Sequence, residues 1–182
     1  MSTIKNLDRL LAKLDATGEN AAPIARIAVM KGLEMVKARA KMNCKADTGE
    51  LRNSIHSRSR INGATAEGDV YTSNDHAAYV EFGTGPVGAE SPKDIPEGLH
   101  LAYKPTGWWI HVGDNEGDIS PAAVKRHNLV TRTSADGETF VYTKGQPAKP
   151  YLYPALKESE EKVIRIMKET VRQKIREAVR HG

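Results

Sequence analysis

The sequence predicts an α+β fold: long N-terminal and C-terminal helices packed on a small antiparallel sheet, with a Gly/Pro-rich insertion. Three observations carry this prediction. Apolar residues recur at helical spacing from about residue 20 to 45 and again from 154 to 180. A polar-alternating stretch over 54–72 is broken by Asn62-Gly63, a strong hairpin dipeptide. Residues 83–150 hold nine of the 15 glycines and seven of the nine prolines, a density that no long helix or central strand tolerates. With 182 residues, 39% apolar and 27% charged, the chain has ordinary soluble composition and can bury about 70% of its unfolded surface. It is read as a single domain, 1–182, with 85–145 as an insertion within it.

Residues 3–16 are expected to form a short helix, because Leu7, Leu10, Leu11 and Leu14 fall on one face. Gly18 stops it, and Asn20 and Pro23 start a second helix that runs to about Lys45. Ile24, Ile27, Leu33, Val36 and Ala40 form its apolar stripe, and Lys37, Lys41 and Lys45 a solvated side. Asp47-Thr48-Gly49-Glu50 has the form of a capping box, with Leu51 and Ile55 following at i, i+4 as a short helix. Residues 54–61 and 65–72 are predicted to pair as a hairpin. Within the insertion, Trp108–Val112 and Thr139–Tyr142 read as strands, with Ala135-Asp136-Gly137 turning into the second. Adjacent strand residues point to opposite faces, so one of Trp108 and Trp109 should pack inward and the other lie at the surface as a partner contact. Pro154 opens the last helix in its first turn, and the helix runs to about Arg180. Its stripe is Leu156, Val163, Ile164, Met167, Val171, Ile175 and Ala178, with Glu158–Lys162 and Glu161–Arg165 as helix pairs.

The net charge of +4 conceals an asymmetry. Residues 1–60 carry 12 Lys/Arg against six Asp/Glu, residues 61–145 six against 12, and residues 146–182 nine against five. Two readings stand: electrostatic complementarity within or between copies, or long helices whose basic side chains face solvent. The acidic middle would repel phosphate, which disfavours a wholly basic nucleic-acid-binding domain. The longest uncharged stretch, Pro105–Gly113, is far short of the ~20 residues of a membrane span, and no charged-then-apolar leader opens the sequence, so neither membrane nor secretion is expected.

Little in the sequence points to chemistry. The single cysteine, Cys44, excludes an internal disulfide. The six histidines, at 56, 76, 100, 111, 127 and 181, include no i, i+4 pair. Asp114–Asp118 lacks the glycine position and closing Glu of a calcium loop and reads as a solvated acidic turn. Gly83-Thr84-Gly85-Pro86 lacks the Gly-Lys-Ser/Thr of a phosphate loop. No catalytic, cofactor-binding or metal-ligating residue is assigned, and no enzyme is expected. A nucleic-acid-binding protein using its basic helices is the alternative, and a hydrolase with His111 or His127 as base a distant third.

Three segments, in order, are Asp47-Thr48-Gly49-Glu50-Leu51-Arg52-Asn53-Ser54-Ile55, His76-Ala77-Ala78-Tyr79-Val80-Glu81-Phe82-Gly83-Thr84-Gly85, and Gly145-Gln146-Pro147-Ala148-Lys149-Pro150-Tyr151-Leu152-Tyr153-Pro154-Ala155-Leu156. Together they resemble the small neck and tail-completion proteins of long-tailed phages, the family of gene product ten of phage HK ninety-seven. Gly107-Trp108-Trp109-Ile110 looks like an insertion in one branch of it. The resemblance implies a virion structural protein, assembled in the host cytoplasm and placed in the neck or tail. Its implied partners are copies of itself, as a ring, and other neck or tail proteins; DNA enters only as a channel neighbour. Within these motifs, Thr48 and Gly49 are expected to break the long helix from the next element. Tyr79, Val80 and Phe82 form an apolar patch ending at a left-handed Gly83, with Phe82 buried beside Tyr79. Glu81 is expected to pair with a basic residue, Arg52 first, and Thr84 to follow the turn. Pro147 and Pro150, beside Tyr151, stiffen the lead into the last helix.

Overall fold

A computed structural model describes residues 21–45, 49–63 and 65–181. The helix expected at 3–16 and the motif residues Asp47 and Thr48 lie outside these. The chain divides into two compact units, Met1–Ala77 with Pro150–Gly182, and Ala78–Lys149. The fold class is α+β, as the sequence predicts, with the long helices packed together and on a small antiparallel sheet.

In the first unit, α1 (Ala21–Asn43) and the C-terminal helix α6 (Leu152–His181) form the core. Ala21, Ile24, Ala28, Met167 and Val171 are its buried centre, with Val29, Val163 and Ile175 packed around it. The buried face of α1 is mostly alanine and glycine: Ala21, Ala25, Ala28, Gly32 and Ala40. Small residues let the two backbones approach, and a Cβ on Gly32 would stand 2.8 Å from Val163 Cγ1. The expected stripes are corrected at two points. Ile27 on α1 and Leu156 on α6 are exposed, because the seam follows the small residues and Ala155–Ser159 rather than the largest apolar side chains. Glu158 also leaves its predicted helix partner, Lys162, and accepts from Arg39 Nε of α1 at 2.9 Å.

Between these helices in sequence lie α2 (Glu50–Asn53), β1 (Ile55–Asn62) and β2 (Thr65–Thr72). The cap of α2 is Gly49 at φ 88°, a glycine that breaks the chain direction, and the Asp47 end of the expected capping box lies outside the described residues. Ile55 opens β1 instead of continuing the helix. The strands pair antiparallel from Ile55↔Thr72 to Asn62↔Thr65, so Asn62 closes the ladder and Gly63, at φ 60°, begins the turn. Ile55 is 1% exposed. Gly68 lies directly under Val29 and Leu33 of α1. The opposite face is charged and self-paired: Arg58–Asp69 at 2.6 Å and Arg60–Glu67 at 3.0 Å, with Arg58 over the Tyr71 ring.

The second unit contains most of α3 (Ala77–Phe82), then α4 (Gly85–Glu90), β3 (Trp108–His111), α5 (Pro121–Arg126), β4 (Thr131–Thr133) and β5 (Thr139–Thr143). The three strands form an antiparallel sheet in the order β3-β5-β4. The two predicted strands are β3 and β5, and they pair with each other. The Gly83–Pro86 run does not continue α3, as expected, and it starts the short helix α4. Pro86 falls in the first turn of α4, where its missing N–H has no partner to lose. Ser120 caps α5 by accepting from Ala123 N at 3.2 Å, with Pro121 in the first turn. Among the described residues no helix is long and apolar enough to cross a membrane.

Ile55→Ala should cost about 2–5 kcal/mol, the usual range for a buried isoleucine cut to alanine. Urea unfolding checks this, and a midpoint equal to wild type would show that β1 does not anchor on α1.

Candidate functional site

The second and third motif segments meet in the second unit as a backbone clasp. α3 ends at Phe82, and Gly83 turns the chain with φ 75°. Thr84, extended at φ −137°, then pairs with the strand-like lead at 145–149. Its N–H donates to Gln146 O at 2.9 Å, and its hydroxyl accepts from Gln146 N at 3.1 Å. Lys149 N donates to Val80 O at 2.8 Å, Val87 N to Lys144 O at 3.3 Å, and the Gln146 amide to Tyr79 O at 3.0 Å. Ser91 Oγ accepts from Ala148 N at 2.8 Å. Glycine is required at the centre. A Cβ on Gly83 would lie 2.7 Å from Ala148 N and from Gly88 Cα, closer than real Cβ contacts come.

The structure corrects the expected burial around this turn. Tyr79 is 53% exposed and Phe82 half-buried, whereas Glu81 is 6% exposed. The short helix buries its Ala77/Glu81 face, four residues apart, instead of the Tyr79/Phe82 face. Phe82 contributes through its carbonyl, which accepts from the Tyr103 hydroxyl at 2.9 Å. Arg52, the expected partner of Glu81, is exposed at the end of α2. Pro147 is exposed, Pro150 half-buried, and Tyr151 buried at the entry to α6, where its carbonyl accepts from the Asn43 amide.

The sheet of this unit carries the second feature. Trp109 and Tyr142 are opposite each other, 50% and 47% exposed, with ring centroids 5.1 Å apart. Val130, 84% exposed, and Arg132 complete a shallow depression of about 320 Å³. Arg132 lies over the Trp109 ring at 5.9 Å. Trp108 points to the other side, half-buried with Lys104 over its ring, and Val141 is the buried residue of β5. The expected split of the two tryptophans is therefore present.

His111, two residues on from Trp109, stacks edge-on against Phe140 and holds two acidic turns together. Its Nδ1 is 3.0 Å from Asp118 and its Nε2 2.5 Å from Glu138. The Asp118 hydrogen bond, then that of Glu138, raises the His111 pKa above its ordinary value, and the same contact lowers that of Asp118. Glu138 is nearer but more exposed, so water screens it more. No sequence pattern marks this cluster, because Glu138 joins it from 20 residues beyond Asp118. With both ring nitrogens engaged, His111 has no free position to act as a base. His127 sits at the end of α5, its backbone N–H bonded to Ala123 O. Among the described residues no group of three His, Cys, Asp or Glu could hold a metal ion.

Two measurements follow. Gly83→Ala combines a left-handed backbone with a collision and should cost about 2–4 kcal/mol. Gly137→Ala, at φ 86° with open space around it, should cost only about 1–2 kcal/mol. Equal losses in thermal unfolding would mean that the clasp does not need the close approach. Titration of the His111 ring by NMR should give a midpoint above that of free histidine, lowered more by Asp118→Asn than by Glu138→Gln. The sign follows from both shifts. The raised histidine stabilises fully below its ordinary pKa and loses this as pH rises through the raised value. The lowered Asp118 loses its contribution as pH falls through the lowered value. The turns should be held best in the window between.

Residues 8–83 match the family HK97-gp10_like, described as "Bacteriophage HK97-gp10, putative tail-component". Comparison with curated proteins and with solved structures yields no match. The family resembled by the Asp47–Ile55 and His76–Gly85 segments is thus the family whose model residues 8–83 match.

Proposed function

We infer that the chain is a virion structural protein of a long-tailed phage or prophage, without catalytic activity, that acts in head–tail joining or tail completion. It does so by associating with copies of itself and docking to other neck or tail proteins, after synthesis in the host cytoplasm. The family match over residues 8–83 is the observation that carries this reading. The motif residues support it by their roles. Gly83, Thr84 and Gln146 build backbone contacts, Tyr151 is buried at a helix entry, and Trp109 offers a half-exposed aromatic ring. None of them forms a nucleophile–base pair.

The nucleic-acid alternative is weakened by the fate of the basic residues. Lys37, Arg39, Arg58 and Arg60 face Glu34, Glu158, Asp69 and Glu67 within the same chain, which lowers the positive charge that α1 and β1 would offer to phosphate.

Disabling the coding sequence in the phage that carries it should leave filled heads and finished tails unjoined, or tails of abnormal length, under the electron microscope. Normal infectious particles would overturn the reading.

A further inference from the structure

We propose that the open aromatic face of the β3–β5–β4 sheet receives the arginine-bearing C-terminal half of α6 from a second copy of this chain. This rests on the self-association inferred above and gives it a surface on each side.

The receiving face combines an apolar floor with an acidic end. Trp109 of β3, Tyr142 of β5 and Val130, the residue before β4, lie exposed around one depression, with Arg132 at its side over the Trp109 ring. Exposed clustered aromatics are uncommon on a monomer surface and are enriched at the centres of interfaces. Beyond His111 the two turns it binds together present Asp114, Glu116 and Asp136 to solvent. A ligand for such a face needs cations that can also lie flat on aromatic rings. Arginine does both, by stacking on Trp or Tyr and by pairing with carboxylates.

The far half of α6 offers a matching surface. Residues 165–177 of α6 hold five Lys/Arg against two Glu. Arg172 and Arg176 are exposed and one helical turn apart, and among the described residues no ion pair includes either. Lys37 and Arg39 of α1 and Arg58 and Arg60 of β1 differ, since they are neutralised within their own chain. Charge complementarity therefore selects the far half of α6. The two surfaces are different patches, so the contact is heterologous: repeated from copy to copy, it closes into a ring or runs on as a filament.

Sedimentation of the full chain over a concentration series tests this. Wild type should associate, and less so as salt rises, because exposed charges are screened beyond ~10 Å at 0.1 M. Trp109→Ala with Tyr142→Ala should weaken association about tenfold or more while the thermal midpoint stays near wild type. Arg172→Glu with Arg176→Glu should weaken it likewise. Asp114→Arg with Glu116→Arg should do the same, and combining these two charge reversals should restore association. Wild type that associates together with every variant would overturn the proposed face while leaving self-association intact. Wild type that stays monomeric at every concentration would overturn both, and would leave the head–tail role to the particle experiment.

Discussion

The structure depends on a place where two backbones come closer than any side chain permits. At the clasp, Gly83 and Gly145 both have positive φ, and the space where their Cβ atoms would stand is filled by backbone of the other strand. Thr84 and Gln146 can exchange hydrogen bonds only because of that approach. The bond from Lys149 N to Val80 O then fixes the start of the second unit against its end. Closing so long a loop costs conformational entropy that grows only slowly with its length. A few backbone bonds, sheltered between glycines, can therefore hold the excursion closed whatever lies inside it.

The same logic of small residues governs the first unit. The α1–α6 seam uses alanine and glycine where larger apolar residues were available on α1, leaving Ile27 outside. Close approach of two long helices replaces a thick layer of side chains, and packing gains come from many short contacts. Charge is then confined to the surface, where Arg39–Glu158 and the Arg58 and Arg60 pairs contribute little to stability but lower the net field of the basic segments.

What was legible in the sequence and what was not divides along physical lines. α1, α6 and the hairpin were readable because their apolar residues repeat over enough positions for local pattern and tertiary burial to agree. The Trp108/Trp109 split was readable from strand alternation alone. Gly83 was readable as a left-handed turn because few other residues fit there. The six-residue helix at Ala77–Phe82 was misjudged in its facing: over so few residues, two helical faces have equal claim, and the rest of the fold chose Glu81 over Phe82. α4 hid behind Pro86, whose missing N–H forbids helix interior but not a first turn. β4 is three exposed residues with no apolar alternation, held only by pairing to β5. The aromatic depression needs Arg132 from that strand and Val130 just before it, so the site was half visible, as a tryptophan without its surroundings. The His111 cluster left no trace, because it is assembled by two turns far apart in sequence.

The boundary of the family region gives this division a functional sense. The match runs through α1, the hairpin and α3 and stops at Gly83, the first glycine of the clasp. Everything on the aromatic face, from Trp109 to Tyr142, lies beyond it. A segment whose entry and exit are bonded to each other can change its interior with little strain on the helices that precede and follow it in the chain. The matched residues thus form a helix-and-hairpin unit with α6, and the exposed aromatics sit on a segment that the clasp closes on itself, so substitutions on that face can change what it binds without unpairing the clasp.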